Sequence, residues 1–377
     1  MPKLPVVSSA TPPGVARRDV LRGMLALTVL YFPVGCGGGS KSTPSPYDPD
    51  GRPIADMPTT DARVPILWLE AGVCTGCSCS LLDWQGPSPL ASDVLVPSLR
   101  IEFAETLMVE FGANAVDHLL ATAKATPGQY ILIVDGAVPI DSPAGYSALT
   151  TTGVDSTNTN WTVYAMIAQL AANAKQVVAV GACASFGGIP GSAPNTGTEV
   201  SLADALVAAN VTLQAQLIRI PGCPPNPKWT VDAIWALTQT GASPLTLDTL
   251  GRPELHFSDS VHDSTCPRRP SYDASVFAAY LGDNAINATT GAPPCLLSVG
   301  CKGINTIADC PQVLWQGLST CIQVGSPCIG CAAPGFLDGG NAVYGAAVPS
   351  NPAILGSVTL NTEEATAATP FYVKPTS

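Results

Sequence analysis

Thirteen cysteines in 377 residues are the groups in this sequence best suited to chemistry, and seven of them fall between His262 and Cys331. They are Cys266, Cys295, Cys301, Cys310, Cys321, Cys328 and Cys331. Glycine and proline surround them, as in Gly300-Cys301-Lys302-Gly303 and Pro327-Cys328-Ile329-Gly330-Cys331. Such backbone takes the irregular turns that aim several sulfurs at one centre, which a helix or strand rarely allows. Four thiolates around iron are the usual ligands of an iron–sulfur cluster, and His replaces Cys in some. With His262, the segment offers seven thiols and one imidazole, enough for two four-iron clusters. The competing reading is a disulfide-stapled tail, the normal fate of an even set of cysteines in an exported chain.

Further donors depend on the elements that position them. Short apolar runs at 66–69, 99–103, 130–134, 177–180 and 217–220 alternate with helical patterns at 107–123, 161–174 and 202–209. Buried runs of this length spaced by amphipathic helices predict an α/β fold with a doubly wound parallel sheet. Sites in such sheets form beyond the carboxyl ends of the strands. Cys74 and Cys77 follow the first run, Cys183 the fourth and Cys223 the fifth. Four thiols therefore converge on one sheet edge, a placement that disulfide pairing would not select. Zinc in a four-cysteine site is the metal alternative. Zinc prefers paired C-x-x-C knuckles, and this group has one, Cys74–Cys77, so iron–sulfur is the favoured chemistry.

The first residues read as targeting rather than fold. Arg17-Arg18-Asp19-Val20-Leu21-Arg22 precedes an apolar run from Gly23 to Val34, too short to span a bilayer as a mature helix. The paired arginine points to the twin-arginine route, which exports folded passengers and so suits a cofactor protein. Cys36 ends the apolar run and opens a Gly/Ser/Pro-rich stretch, in the manner of a lipoprotein site, although Pro33 stands where such sites prefer Leu. The expected organisation is a leader and tether at 1–57, a sheet domain at 60–240 and a cysteine-rich domain at 241–377, with a polar tail from 356. The formal net charge is −11 with 12% charged residues, and no basic stripe suggests nucleic acid. The chain carries no nucleophile elbow, phosphate loop or zinc-protease motif.

Taken together, these motifs resemble the small subunit of nickel–iron hydrogenases. The matching stretches are Cys74-Thr75-Gly76-Cys77, Gly181-x-Cys183-x-x-x-Gly187-Gly188, Pro221-Gly222-Cys223-Pro224-Pro225-Asn226-Pro227, Gly300-Cys301-Lys302-Gly303 and Pro327-Cys328-x-x-Cys331-x-x-Pro334-Gly335-Phe336. They keep the family's order behind a twin-arginine leader. The resemblance implies a flavodoxin-like sheet domain followed by an irregular iron–sulfur domain. It also implies a location in the periplasm or on the outer face of the cytoplasmic membrane, a large subunit that carries the nickel–iron site, and an external acceptor such as a c-type cytochrome. By resemblance Cys74, Cys77, Cys183 and Cys223 hold a proximal [4Fe-4S] cluster, and His262, Cys266, Cys295 and Cys301 a distal [4Fe-4S] cluster. Cys310, Cys328 and Cys331 match the medial set. The alternatives are a non-catalytic iron–sulfur carrier, a hydrogenase-like sensory module, or a disulfide-rich extracellular protein.

Three features depart from the family pattern. His262 and Cys266 are separated by three residues where relatives have two, an insertion that a one-residue bulge would absorb. Oxygen-tolerant relatives carry two extra cysteines near the proximal cluster, at positions that are Gly76 and Gly188 here; Cys79 lies outside those places and reads as a buried small side chain. Many relatives have Pro at the position of Cys321 and a medial [3Fe-4S] cluster. A cysteine there supplies the missing ligand, so the resemblance implies a medial [4Fe-4S] cluster, with [3Fe-4S] beside a buried thiol as the alternative.

Overall fold

Strands that are apolar on both faces need cover on both sides, and the sheet formed here has it. The computed structural model describes residues 63–84, 99–141, 147–149, 160–192, 198–238, 245–315 and 317–336. The leader, Cys36, the tether and the tail lie outside the described residues.

Five parallel strands, β1 (Pro65–Glu70), β2 (Arg100–Ala104), β3 (Ile131–Asp135), β4 (Gln176–Val180) and β5 (Ile218–Ile220), form one sheet in the order β2-β1-β3-β4-β5. That is the flavodoxin-like order of a doubly wound sheet, as expected. Each strand lies within a residue or two of its apolar run. A small antiparallel ribbon pairs Val138–Pro139 with Glu199–Val200 beside it.

Period-two alternation splits the strands between two cores. Leu67, Leu69, Leu132, Val134, Val177 and Ala179 face one side. Against them pack α2 (Gly112–Ala125), α3 (Val163–Ala171) and α5 (Leu202–Ala208), through Leu119, Met166, Ile167, Leu170 and Leu206. The helix starts are set locally. Thr162 caps α3 by accepting from Ala165 N–H at 3.1 Å, and Ser201 caps α5 by accepting from Asp204 N–H at 3.2 Å. Truncating a fully buried residue such as Leu170 to Ala would cost about 2–5 kcal/mol through lost transfer energy and the cavity left behind.

Ile66, Trp68, Ile131, Ile133, Val178, Val180, Ile218 and Ile220 face the other side. There they meet α6 (Pro227–Thr238) through Trp229 and Ile234, and the cysteine-rich region through Phe257, Val261, Leu296, Ala308 and Ile322. One core thus joins the sheet to the segment that holds most of the thiols. That segment has little regular structure: α7 (Val261–Thr265), α8 (Arg269–Asp273), a 3₁₀ turn at Leu296–Val299 and α9 (Cys310–Val313).

The helix expected at 107–123 starts only at Gly112. Gly112 has φ +67°, a left-handed value that no right-handed helix interior holds. Leu107 and Met108 instead donate to the Ala104 carbonyl, closing a turn after β2. Val109 and Phe111 are left exposed.

Candidate metal centres

The first group of thiols stands at the carboxyl edge of the sheet. Thr75, at φ 61°, turns the chain so that α1 (Gly76–Leu82) begins directly after Cys74 and carries Cys77 in its first turn. Cys183 lies in the first turn of α4 (Gly181–Phe186), which leaves β4 without an intervening loop. Cys223 follows β5 through Pro221 and Gly222. Two glycines make the approach of these thiols feasible. A Cβ on Gly181 (φ +88°) would lie 2.5 Å from Cys77 Sγ, and one on Gly188 (φ +54°) would lie 2.8 Å from Cys183 Sγ. Side chains there would occupy the space that the thiols share.

Electrostatics ties the four together. Burial pushes the Cys77 thiol far above its ordinary range, and Asp135, Cys183 and Cys74 push in the same direction. Burial takes Cys183 up to about 11, with Cys223, Asp135 and Cys74 adding to it. Cys223 is raised by burial and by Cys74. Around this edge sits an acidic rim. Ser78 donates to Glu70 at 2.7 Å and to Asp135 at 3.4 Å, and burial lifts Asp135 to about 6 and Glu105 to about 8.

The second group comprises Cys310, Cys321, Cys328 and Cys331. Cys310 opens α9, and its thiol is raised by burial and then by Cys331, Cys328, Asp309 and Cys321. Burial also takes Cys331 to about 12. The Cys328 thiol donates weakly to Thr306 Oγ1 at 3.8 Å. Cys321 is exposed, so it is not the buried thiol of the alternative reading. This group touches both of the others. Cys223 and Cys331 pack against the same residues, Ala182 and Phe336, and Cys328 N–H donates to Cys301 Sγ at 3.3 Å.

The third group lines one cavity: His262, Cys266, Cys295 and Cys301, closed by Arg268, Leu296, Leu297, Gly303, Ile304 and Ile322. His262 sits on α7 and Cys266 caps its end. The longer spacing is therefore absorbed by a helical turn, which sets positions four apart on one face, and not by the expected bulge. His262 Nδ1 lies 3.2 Å from Asp263 Oδ1, and the ring packs edge-on against Tyr272 at 4.2 Å. Its Nε2 is buried with no hydrogen-bond partner. A buried imidazole nitrogen left unpaired is costly, and here it lines the same cavity as three thiols. Burial raises all three, Cys295 to about 12.

These arrangements fit iron–sulfur cores. Buried thiols rise because nothing offsets a thiolate; iron supplies that charge, and its binding releases the protons. Among the described residues, no three His, Cys, Asp or Glu side chains converge closely enough for a single metal ion. A multi-iron core, with iron and sulfide between its thiolates, asks for a wider ring of donors.

The remaining sequence expectations divide. Cys79 is exposed on α1, because the helix turns it away from the sheet core that holds Leu81; it is not the buried side chain expected. His118 on α2 pairs with Glu102 at 2.8 Å and His256 bridges Asp309 and Asp232, so neither joins a thiol group. Two residues escaped the sequence reading. Arg252 is buried and donates to the carbonyl of Ala332, next to Cys331. Arg268 is buried in the third cavity. Their signal was a paired Gly/Pro setting, Gly251-Arg252-Pro253 and Cys266-Pro267-Arg268, in a chain otherwise poor in charge.

Comparison with known proteins agrees with this geometry. Residues 257–344 match the family formed by the C-terminal region of the NiFe/NiFeSe hydrogenase small subunit, and residues 74–237 match NADH ubiquinone oxidoreductase, 20 Kd subunit. The chain is 34% identical to the periplasmic [NiFeSe] hydrogenase small subunit of Desulfomicrobium baculatum, over 75% of this chain and 87% of that one. It is 32% identical to periplasmic [NiFe] hydrogenase small subunit 1 of Nitratidesulfovibrio vulgaris, over 86% and 92%. The crystal structure of the reduced, active NiFeSe hydrogenase from Desulfomicrobium baculatum superimposes with a TM-score of 0.67 at 32% identity, covering 76% of this chain and 100% of that one.

Proposed function

The chain belongs to the NiFe/NiFeSe hydrogenase small-subunit family, and we propose accordingly that its three thiol groups each hold one iron–sulfur cluster. It is the electron-transfer subunit of a hydrogenase. Clusters bound in these groups supply one-electron carriers between a catalytic site in a large partner subunit and an external acceptor. The sheet domain, 60–240, carries the proximal ligands Cys74, Cys77, Cys183 and Cys223. The region 241–377 carries the medial ligands Cys310, Cys321, Cys328 and Cys331, and the distal ligands His262, Cys266, Cys295 and Cys301.

One observation carries this reading. Each group meets the next: Cys223 and Cys331 pack against the same residues, Ala182 and Phe336, and Cys328 N–H donates to Cys301 Sγ. The three sites therefore form a row, with the second in the middle. The four thiols of the second group support a medial [4Fe-4S] cluster in place of [3Fe-4S].

The large subunit would cover the sheet edge around Cys74, which is exposed in the single chain. Exposed apolar residues leave that edge, Val109 and Phe111 after β2 and Ile189 after α4, together with Leu82 on α1. They suit an obligate apolar interface. Leu81, the neighbour of Leu82 on α1, belongs to the core instead. The leader supports twin-arginine export to the periplasm or the outer face of the membrane. Cys36 is the candidate lipid anchor, and a c-type cytochrome is the candidate acceptor. Purification of the exported chain tests the reading: a larger, nickel-containing subunit should accompany it, and a stable cluster-bearing monomer would instead favour the carrier alternative.

A further inference from the structure

Arg268 is 1% exposed and lines the cavity with Cys266, Cys295 and Cys301. Its guanidinium is spent on neutral oxygens. Nε donates to the Ile322 carbonyl at 3.1 Å, and Nη1 donates to the carbonyls of Asp283 at 2.9 Å and Pro294 at 2.7 Å. Nη2 donates to the side-chain oxygen of Asn284. Among the described residues it forms no ion pair, and the Asp283 carboxylate is turned to Ala279 N–H at 3.4 Å. Arginine stays protonated even when buried, so a whole positive charge sits in an enclosed site without a counter-ion. The first group has the opposite neighbour, since the Asp135 carboxyl and Cys77 Sγ border the same space beside Gly181.

We propose that Arg268 tunes the third cluster, raising its reduction potential by placing an uncompensated buried cation against Cys266, Cys295 and Cys301. The proposal rests on the reading of those residues as cluster ligands. Reduction adds one negative charge to a cluster, and a nearby cation in a poorly screened interior favours the reduced form. With an acid beside the first group and a cation beside the third, the fixed charge of the chain slopes outward. An electron entering at the sheet edge is then drawn toward the His262 end. Arg268 is a positioning and tuning residue; it donates to no cluster ligand through its side chain.

The test is a potentiometric titration of the purified two-subunit enzyme, followed by electron paramagnetic resonance. The third cluster is identified as the signal that Cys295→Ala removes. Asn284→Asp places a carboxylate on the guanidinium while leaving Arg268 and the loop shape in place. The expected result is a lower midpoint for the third cluster alone, with the other two unmoved. Arg268→Gln should shift the same midpoint in the same direction, and Arg268→Lys should bring it back toward the wild-type value. An unchanged third midpoint in Asn284→Asp overturns the role of Arg268 while the ligand assignment stands. Retention of every cluster signal in Cys295→Ala would remove the ligand assignment itself, a separate failure.

Discussion

The backbone N–H of Cys328 donates to the sulfur of Cys301 across 3.3 Å. These residues belong to different thiol groups, so a single hydrogen bond spans the second and third sites. Lys302 N–H returns the contact by donating to the Cys328 carbonyl at 2.8 Å. Hydrogen bonds to sulfur tune cluster potential, and this one lets the state of one site be felt at the next. Cys301→Ser should therefore lower iron and acid-labile sulfide by one cluster and also shift the spectrum of the second site. A second-site signal identical to wild type would contradict the coupling.

His262 is the least conventional of the proposed ligands, and its unpaired Nε2 makes the expectation specific. Replacement by Ala should empty the third site, whereas His262→Cys should keep the cluster with altered resonance. Iron content per chain separates these outcomes. Full occupancy in His262→Ala would mean that the imidazole is only packed against Tyr272.

Cys321 decides the type of the middle cluster. Cys321→Pro should convert it to a three-iron form, visible as a new stoichiometric resonance in the oxidised enzyme. The same resonance in fresh wild-type protein would show that Cys321 is not a ligand.

A buried charge network predicts a pH response. His256 is 3% exposed, with Nδ1 2.7 Å from Asp309 and Nε2 3.1 Å from Asp232, while Trp229 Nε1 donates to Asp309 at 2.6 Å. Burial opposes the imidazolium, but hydrogen bonds to the two carboxylates outweigh it and raise His256 above 6.5. A raised pKa contributes stability that is fully present below 6.5 and is lost as pH rises through the folded value. His256→Gln should therefore lower the unfolding free energy most below pH 6.5, by about 3 kcal/mol if the pair behaves as a buried one. The difference should narrow at higher pH. A difference that is constant with pH would show that His256 acts by packing alone.

Export can be tested apart from the folded domain. Arg17→Lys with Arg18→Lys should strand both subunits in the cytoplasm, as judged by fractionation and by the position of hydrogenase activity. Normal export of the double variant would exclude the twin-arginine route.

The sheet was legible because its strands are buried on both faces, so 130–134 and 177–180 read as unbroken apolar runs. The first thiol group followed directly, since a doubly wound sheet brings the ends of its strands to one edge. Helix α2 was placed five residues too early because Leu107, Met108 and Phe111 continue a helical apolar pattern, and only the backbone of Gly112 reveals the stop. The irregular segment was less readable. Nothing local shows that His262 and Cys266 share a helical turn, or that Cys79 faces away from the core. Arg268 was missed for a related reason. Its importance lies in carbonyls of residues 283, 294 and 322, which are distant in sequence and meet only in the fold.

Mössbauer spectroscopy of the iron-57-enriched two-subunit enzyme, with acid-labile sulfide measured on the same sample, tests the central claim most directly. The twelve assigned ligands predict three four-iron clusters in each copy of this chain, with the only other iron that of the nickel–iron site in the large subunit. Fewer than three clusters, or cysteines recovered as disulfides in the active enzyme, would contradict it.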